Sequence, residues 1–237
     1  MNVDKLTHGL DELCIKYNDD TIDKFIKYYQ MIIEKNKVMN LTAITDFEDV
    51  IQKHFLDSIS LCEYFDFIND INVIDIGTGA GFPGIPLKIV FPDINITLLD
   101  SLNKRVFFLN EVIEKLELRN IIALHGRAED YGRNIEYREK FDLCVSRAVA
   151  NMSSLAEYCL PFVKVNGFFI PYKSGECDDE ITASKSALKK LSGKICKVKK
   201  FNLPDSDISR SFVFIKKYDT ISDKYPRKSG MPTKKPL

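Results

Sequence analysis

The chain has 237 residues, 45% of them hydrophobic and 11% aromatic, and its 34 Lys and Arg balance 34 Asp and Glu. That is enough to bury the core of one α/β domain with an extension, and no apolar run nears the ~18 residues a membrane span needs. Six cysteines with no C-x-x-C pair, beside only three histidines, make no zinc-binding pattern.

The first residues, 1–5, lack an apolar stretch of the secretory kind, so a reduced, cytoplasmic protein is expected, with no membrane partner and acting as a monomer. Amphipathic helices are predicted over 3–17 and 22–38. In the second, Ile22, Phe25, Ile26, Tyr29, Ile32 and Ile33 recur at helical spacing, with Thr21 as its N-cap. A third helix over 47–64 carries Val50, Ile51, His54, Phe55 and Ile59 on one stripe. Together these make an N-terminal helical cap, residues 1–66.

From residue 72 the rhythm changes. Strands are predicted over 72–76, 95–99, 121–124, 141–145 and 168–172, with helices over 85–91, 104–118, 153–163 and 178–191 between and after them. Two further strands, 194–201 and 210–217, follow one another without a helix and are expected to pair antiparallel at the sheet's end. Alternating strands and helices imply a doubly wound, mostly parallel sheet with helices on both faces. The domain so defined is 67–218. The remaining tail, 219–237, is basic and proline-rich and is expected to be extended rather than packed. Residues 185–237 hold about 15 Lys or Arg against about 4 Asp or Glu, which suggests a polyanionic partner.

In a doubly wound sheet a ligand lies across the carboxyl ends of the strands. The first strand runs into Asp75-Ile-Gly77-Thr-Gly79-Ala-Gly81-Phe82-Pro83-Gly84. Gly79, Gly81 and Gly84 satisfy the dinucleotide pattern G-x-G-x-x-G literally. Pro83 and Pro86, however, remove amide donors that a pyrophosphate needs at a helix N-terminus. Asp75 would not help a phosphate either. An adenosyl cofactor bearing an amino acid and a sulfonium tolerates both features, so the loop reads as an S-adenosylmethionine site. The second strand ends at Asp100-Ser101, where a carboxylate can hold ribose hydroxyls. The turn after the third strand carries Gly126-Arg127-Ala128-Glu129, and the fourth strand ends in Ser146-Arg147-Ala148, where a methyl group would leave.

That last position also bears on the acceptor. It lacks the Asn/Asp-Pro-Pro-Tyr of enzymes that methylate exocyclic amines. Cys144 sits one layer below the strand end and reads as a buried structural cysteine rather than a pyrimidine nucleophile. What remains is an atom already nucleophilic, such as guanine N7, for which alignment suffices and no general base is required.

These residues, with Leu98-Leu-Asp-Ser-Leu-Asn-Lys-Arg105, Tyr225-Pro-Arg-Lys228, Asn40-Leu-Thr42 and His54-Phe-Leu-Asp-Ser58, resemble the bacterial small-subunit ribosomal RNA guanine-N7 methyltransferases, once called glucose-inhibited division protein B. The resemblance runs essentially end to end. It implies a seven-stranded, Rossmann-like class I S-adenosylmethionine-dependent methyltransferase fold behind the helical cap, with methyl transfer to a guanine N7 in 16S ribosomal RNA of the small subunit. Carried over, Gly77 and Phe82 line the cofactor, Gly79 and Gly81 shape the loop, Asp100 holds the ribose beside Ser101 and Leu102, Ala128 and Glu129 border the adenine, and Arg147 completes that pocket and is the one catalytic candidate. Asn40, His54, Asp57 and Lys173 are placed near the substrate, with Arg227 and Lys228 on RNA phosphates. Lys173 departs from the family pattern in being followed by Ser174 instead of glycine. Phe82 and Tyr172 are offered as stacking surfaces for a base. A methyltransferase for a small molecule or protein, a non-catalytic RNA-binding assembly factor, and a dehydrogenase remain the alternatives.

Overall fold

The computed structural model describes residues 2–68, 70–147 and 150–237. Its centre is a sheet of seven strands in the order β3-β2-β1-β4-β5-β7-β6. β1 (Asn72–Ile76), β2 (Asn95–Asp100), β3 (Ile121–His125), β4 (Phe141–Arg147) and β5 (Val163–Ser174) are mutually parallel, while β7 (Ser209–Lys217) runs antiparallel to both β5 and β6 (Gly193–Asn202). The predicted parallel run and antiparallel end are therefore both present. β5 begins earlier than its apolar run indicated, because Val163 already pairs with Phe141.

Strand alternation divides the core between two faces. Val73, Leu98, Val145 and Ile170 point to one, and Ile74, Leu99, Cys144 and Phe169 to the other. The first face receives α1 (Asp4–Glu12), α2 (Asp19–Met39) and the helical run from Phe47 to Glu63. Leu6, Phe25, Tyr28 and Phe55 from these helices join one continuous core with the strands. Tyr28 reaches furthest, its hydroxyl donating to the carbonyl of Ala80 in the glycine loop at 2.6 Å.

Two details of the cap differ from expectation. α2 starts three residues earlier than predicted, at Asp19, because Asn18 is its N-cap. Thr21 occupies the third helical position and returns the hydrogen bond, closing a capping box. The third helix is not a uniform α-helix. α3 (Phe47–Val50) opens into π-type turns over Ile51–Leu56, then α4 (Asp57–Ile59) and a 3₁₀ turn, Ser60–Glu63. The extra residue per turn breaks the predicted stripe. Val50, Ile51, Phe55 and Ile59 stay in the core, while His54 rotates to its edge.

α5 (Gly84–Val90) and α6 (Asn103–Lys115), which follow β1 and β2, pack on the first face beside the cap, while the opposite face is covered by α8 (Met152–Cys159) and α9 (Asp178–Lys190). α7 (Ala128–Tyr131) is a single turn that the sequence did not announce.

The tail is folded back rather than extended, and ends in the short α10 (Met231–Lys234) against α8. Arg227 turns inward, where its guanidinium and its own amide both bind the carboxylate of Glu157 at 2.6–3.1 Å. Ser154 Oγ donates to the carbonyl of Pro232 at 2.7 Å, and Gly230 N–H to Glu129 Oε1 at 2.9 Å. Apolar burial alone would not hold so basic a segment; the fully buried Glu157 does, since an unpaired carboxylate there would be costly.

Truncating the arginine should expose that cost. Arg227→Ala is expected to lower the unfolding free energy by about 2–3 kcal/mol, below the range for a fully enclosed pair because Arg227 keeps some solvent contact. Urea denaturation measures it, and a change under 0.5 kcal/mol would contradict an ordering role for this pair.

Candidate active site

Two cavities open at the carboxyl ends of the parallel strands. The first, about 310 Å³, is lined by Ile76 and Gly77 from the end of β1, Leu99 and Ser101 around the end of β2, and Gly126, Arg127, Ala128 and Glu129 after β3. Ala150, Asn151, Tyr158 and Thr233 close it. The second, about 450 Å³, is lined by Ile44, Lys53, His54 and Asp57 from the cap, Arg147 from β4, Tyr172, Lys173 and Ser174 from β5, Glu180 from α9 and Arg210 from β7. Arg147 borders one cavity and Ala150 and Asn151 the other, and the two meet where Lys173 of the second donates to the Ala150 carbonyl of the first at 3.2 Å.

The glycine loop is shaped by a carboxylate buried beneath it. Asp75 Oδ2 accepts from Thr78 Oγ1 at 2.7 Å and from Gly84 N–H at 2.9 Å. Burial pushes its pKa up to about 7, against the pull of those two hydrogen bonds and of Arg147. Its other oxygen, Oδ1, is buried without a partner. Gly84 packs tightly: a Cβ there would lie 2.3 Å from Leu98 Cδ2 and 3.1 Å from Asp75 Oδ2, so the buried Leu98 would have to move. Gly81 has φ +109°, and a Cβ would press on Ile85 and the Tyr28 hydroxyl. Gly79 is different: it takes φ +63° with no heavy atom within 4 Å of a Cβ position, so its backbone faces open space.

Asp100 holds the same loop from the other side. Its Oδ2 accepts from Gly79 N–H and its Oδ1 from Leu102 N–H, both at 2.9 Å. The carboxylate is 3% exposed and does not line the first cavity, which its neighbours Leu99 and Ser101 do.

Of the residues predicted around a cofactor, the structure therefore brings Gly77, Ser101, Ala128 and Glu129 together on one cavity, with Gly79 and Asp100 behind its rim. Leu102 caps α6 at the surface. Phe82 and Arg147 belong elsewhere. Phe82 turns toward the cap, stacked on His54 with ring centroids 4.5 Å apart, and the Arg147 guanidinium lies 4.9 Å over the same ring. Arg147 thus faces the second cavity, not the first. Sequence reasoning missed Tyr158 and Thr233, whose hydroxyls bond at 2.7 Å where the tail closes the first cavity. No local pattern announces a contact across 75 residues.

The second cavity is organised by Asp57. Its Oδ2 accepts from Arg147 Nη1 at 2.8 Å and its Oδ1 from Arg210 Nε at 2.9 Å. Arg147 also donates to the Lys53 carbonyl and lies 3.1 Å from His54 Nδ1. The same Nδ1 lies 3.1 Å from the Lys53 carbonyl, and Nε2 meets Thr42 Oγ1 at 2.8 Å, so both ring nitrogens are held. Burial and then the Arg147 charge lower the His54 pKa to about 3, so the ring is neutral across the physiological range. Arg210 was not anticipated, since one arginine in an edge hairpin carries no motif.

Asn40, in contrast, is the left-handed C-cap of α2 and is exposed, outside both cavities. Its neighbour Thr42, held by the Asn36 side chain, makes the contact to His54. Lys173 is an ion-pair partner of Glu180 at 2.6 Å. Lys228 is exposed, whereas Arg227 is committed to Glu157. Phe82 and Tyr172, 6% and 4% exposed, are too buried to stack on a base. Ala148 lies outside the described residues.

The family model for rRNA small subunit methyltransferase G matches residues 21–212. The chain belongs to that family. It is 53% identical to the ribosomal RNA small subunit methyltransferase G of Lachnoclostridium phytofermentans over 97% of this chain and 95% of that one. The corresponding protein of Acetivibrio thermocellus is also 53% identical, over 98% and 95%. Among solved structures, a SAM-dependent methyltransferase from Aquifex aeolicus superposes with a TM-score of 0.54 at 16% identity, covering 74% of this chain and 96% of that one. M. jannaschii TYW2 in complex with AdoMet gives 0.51 at 17%, covering 70% and 77%. At such identities these structures speak to the fold alone, and that fold is the Rossmann-like class I methyltransferase fold expected from the strand order.

The His54 environment yields a pH prediction. Its pKa is lower folded than unfolded, so between about pH 6.5 and 3 the unfolded chain binds more protons and stability falls as pH falls. Asp75, raised in the folded state, works in the opposite sense between its ordinary value and about 7. His54→Asn should therefore lose less stability than the parent on acidification from pH 6.5 to 4.5, measured by urea midpoints at each pH. Parallel profiles would refute the neutral, arginine-facing imidazole.

Proposed function

We infer that this chain transfers a methyl group from S-adenosylmethionine to N7 of a guanine in 16S ribosomal RNA of the small subunit. The observation that carries the reading is the pair of adjoining cavities at the strand ends, in a chain that belongs to this methyltransferase family over most of its length. The residues of the first cavity fit the cofactor. Ile76, Leu99 and Ala128 offer apolar walls to a planar base. Ser101 and the rim that Asp100 holds suit a ribose, and the open backbone of Gly79 admits close approach without a Cβ. When bound, the cofactor supplies an electrophilic methyl carbon on a sulfonium.

The rest of the work falls to positioning. Guanine N7 carries a free lone pair, so no side chain has to remove a proton before transfer. His54, neutral and bonded to both Arg147 and Thr42, is poorly placed to act as a base, consistent with that requirement. Arg147 and Arg210 share a single carboxylate, which leaves the lining net positive, while Lys53 and Lys173 are paired with Asp49 and Glu180. This cationic lining suits a nucleotide whose phosphates flank the base. A guanine in a stem hides N7 in the narrow groove of A-form RNA, so the acceptor enters from an unpaired loop. Neither an apolar small-molecule pocket nor a pyrophosphate cradle matches this lining as well. A ribosomal substrate also accords with a cytoplasmic protein; no helix among the described residues is long and apolar enough to cross a membrane.

Primer extension after N7-specific cleavage, on ribosomal RNA from cells with and without the protein, should show one stop that depends on it; identical patterns would sink the assignment. Asp100→Ala should weaken S-adenosylmethionine binding by about 1–3 kcal/mol, read by calorimetry, because the rim loses its hold on Gly79. Unchanged affinity would remove Asp100 from the site.

A further inference from the structure

We propose that Glu180 and Lys173 together read the Watson–Crick edge of the acceptor guanine, which makes them the residues that set base specificity. The inference rests on the reading of the second cavity as the guanine site.

Among the residues lining that cavity only two carry carboxylates, Asp57 and Glu180. Asp57 is 3% exposed and has both oxygens occupied by arginines, so it is closed to a ligand. Glu180 differs. Its Oε2 is held by Lys173 Nζ at 2.6 Å and by Met152 N–H at 3.2 Å, while the side chain remains 43% exposed. Its orientation is therefore fixed from behind, and the carboxylate keeps acceptor capacity facing the cavity. Lys173 is likewise fixed, with Ala150 O at 3.2 Å, and 12% of its side chain exposed. An ammonium has three donors, so these two bonds leave one free.

The pair thus presents an acceptor and a donor side by side on the cavity wall. Guanine is the base whose edge is the complement. Its O6 accepts where Lys173 donates, and N1–H with the N2 amino group donates where Glu180 accepts. Adenine reverses both positions, with an amino group at C6 and a bare N1. Uracil and cytosine lack the N7 on which the transfer would act. Enzymes acting on an extruded base read this same edge. Holding guanine by it also leaves N7 uncommitted, as a lone-pair attack requires. The other cavity-lining charges, Arg147, Arg210 and Lys53, are donors only and cannot supply the acceptor.

A second reading of the pair is mechanical: it ties Ala150 and Met152 to β5 and α9, and so steadies the contact between the two cavities. The test has to separate edge reading from bracing. Small-subunit particles reconstituted with guanosine, inosine or adenosine at the mapped acceptor position are the substrates, and kcat/KM for methyl transfer is the readout. Inosine keeps N7, O6 and N1–H but lacks the N2 amino group. The wild-type enzyme should prefer guanosine over inosine by about tenfold. Glu180→Gln should lower activity on guanosine about tenfold or more and bring the guanosine-to-inosine ratio within about twofold of unity, while S-adenosylmethionine affinity by calorimetry stays within about twofold. The proposal is overturned if wild-type enzyme treats guanosine and inosine alike, or if Glu180→Gln slows both substrates equally and preserves their ratio, with or without a fall in cofactor affinity. A wild-type ratio of unity overturns the proposal even if the variant fails to fold. A wild-type enzyme that methylates none of the particles would instead count against the ribosomal reading itself.

Discussion

The carboxylate of Asp57 lies between two arginines, Arg147 and Arg210, and much of the molecule is arranged around that contact. The three residues come from the helical cap, from β4 and from β7, up to 153 positions apart in sequence. Breaking a buried pair by removing one partner commonly costs about 3–5 kcal/mol, because a charge is left without compensation. Here one carboxylate neutralises only one of two guanidinium groups, so the cluster keeps a net positive charge at the floor of the second cavity. Its fixed geometry sets Arg147 over Phe82 and against His54, where burial and then the Arg147 charge keep the ring neutral. The cap is thus more than a cover for apolar strands; it supplies part of the second cavity's lining.

The glycine loop is stabilised by a similar device. Asp75 beneath it and Asp100 beside it bind the amides of Gly84 and Gly79, so two carboxylates hold a turn whose own residues have few side chains to hold it with. Asp75 sits in a dry environment that raises its pKa, and one of its oxygens has no partner, a cost accepted at a site where backbone must stay open. The prolines that argued against a pyrophosphate fit this arrangement: Gly84 N–H, which follows Pro83, is directed to Asp75 rather than outward to a ligand.

The two cavities meet where Lys173 of one holds Ala150 of the other, so whatever steadies that contact affects both. Lys173, Glu180, Ala150 and Met152 are joined by three hydrogen bonds there. The C-terminal segment closes the first cavity through Gly230 and Thr233, held by the Arg227–Glu157 pair. A segment that composition marks as a solvated RNA arm is in large part a wall, and its exposed basic residues are Lys224, Lys228, Lys234 and Lys235.

What the sequence by itself determined is the order of strands and helices, the glycine loop with its acidic partners, and membership of a methyltransferase class. These are local or repeating signals: β-branched runs, turn residues, and spacings that a single chain segment displays. The tertiary structure alone decided which charges pair. Arg147 and Arg227 read equally well as ligand contacts from their neighbours in sequence, yet one is drawn to Asp57 and the other to Glu157, each desolvated by elements far away in the chain. His54 fell on a plausible core stripe until a π-turn rotated it to the cavity edge. Periodicity reports which face of a segment is buried, but the partner of a buried charge is set by long-range packing, and that packing leaves no mark in the local pattern.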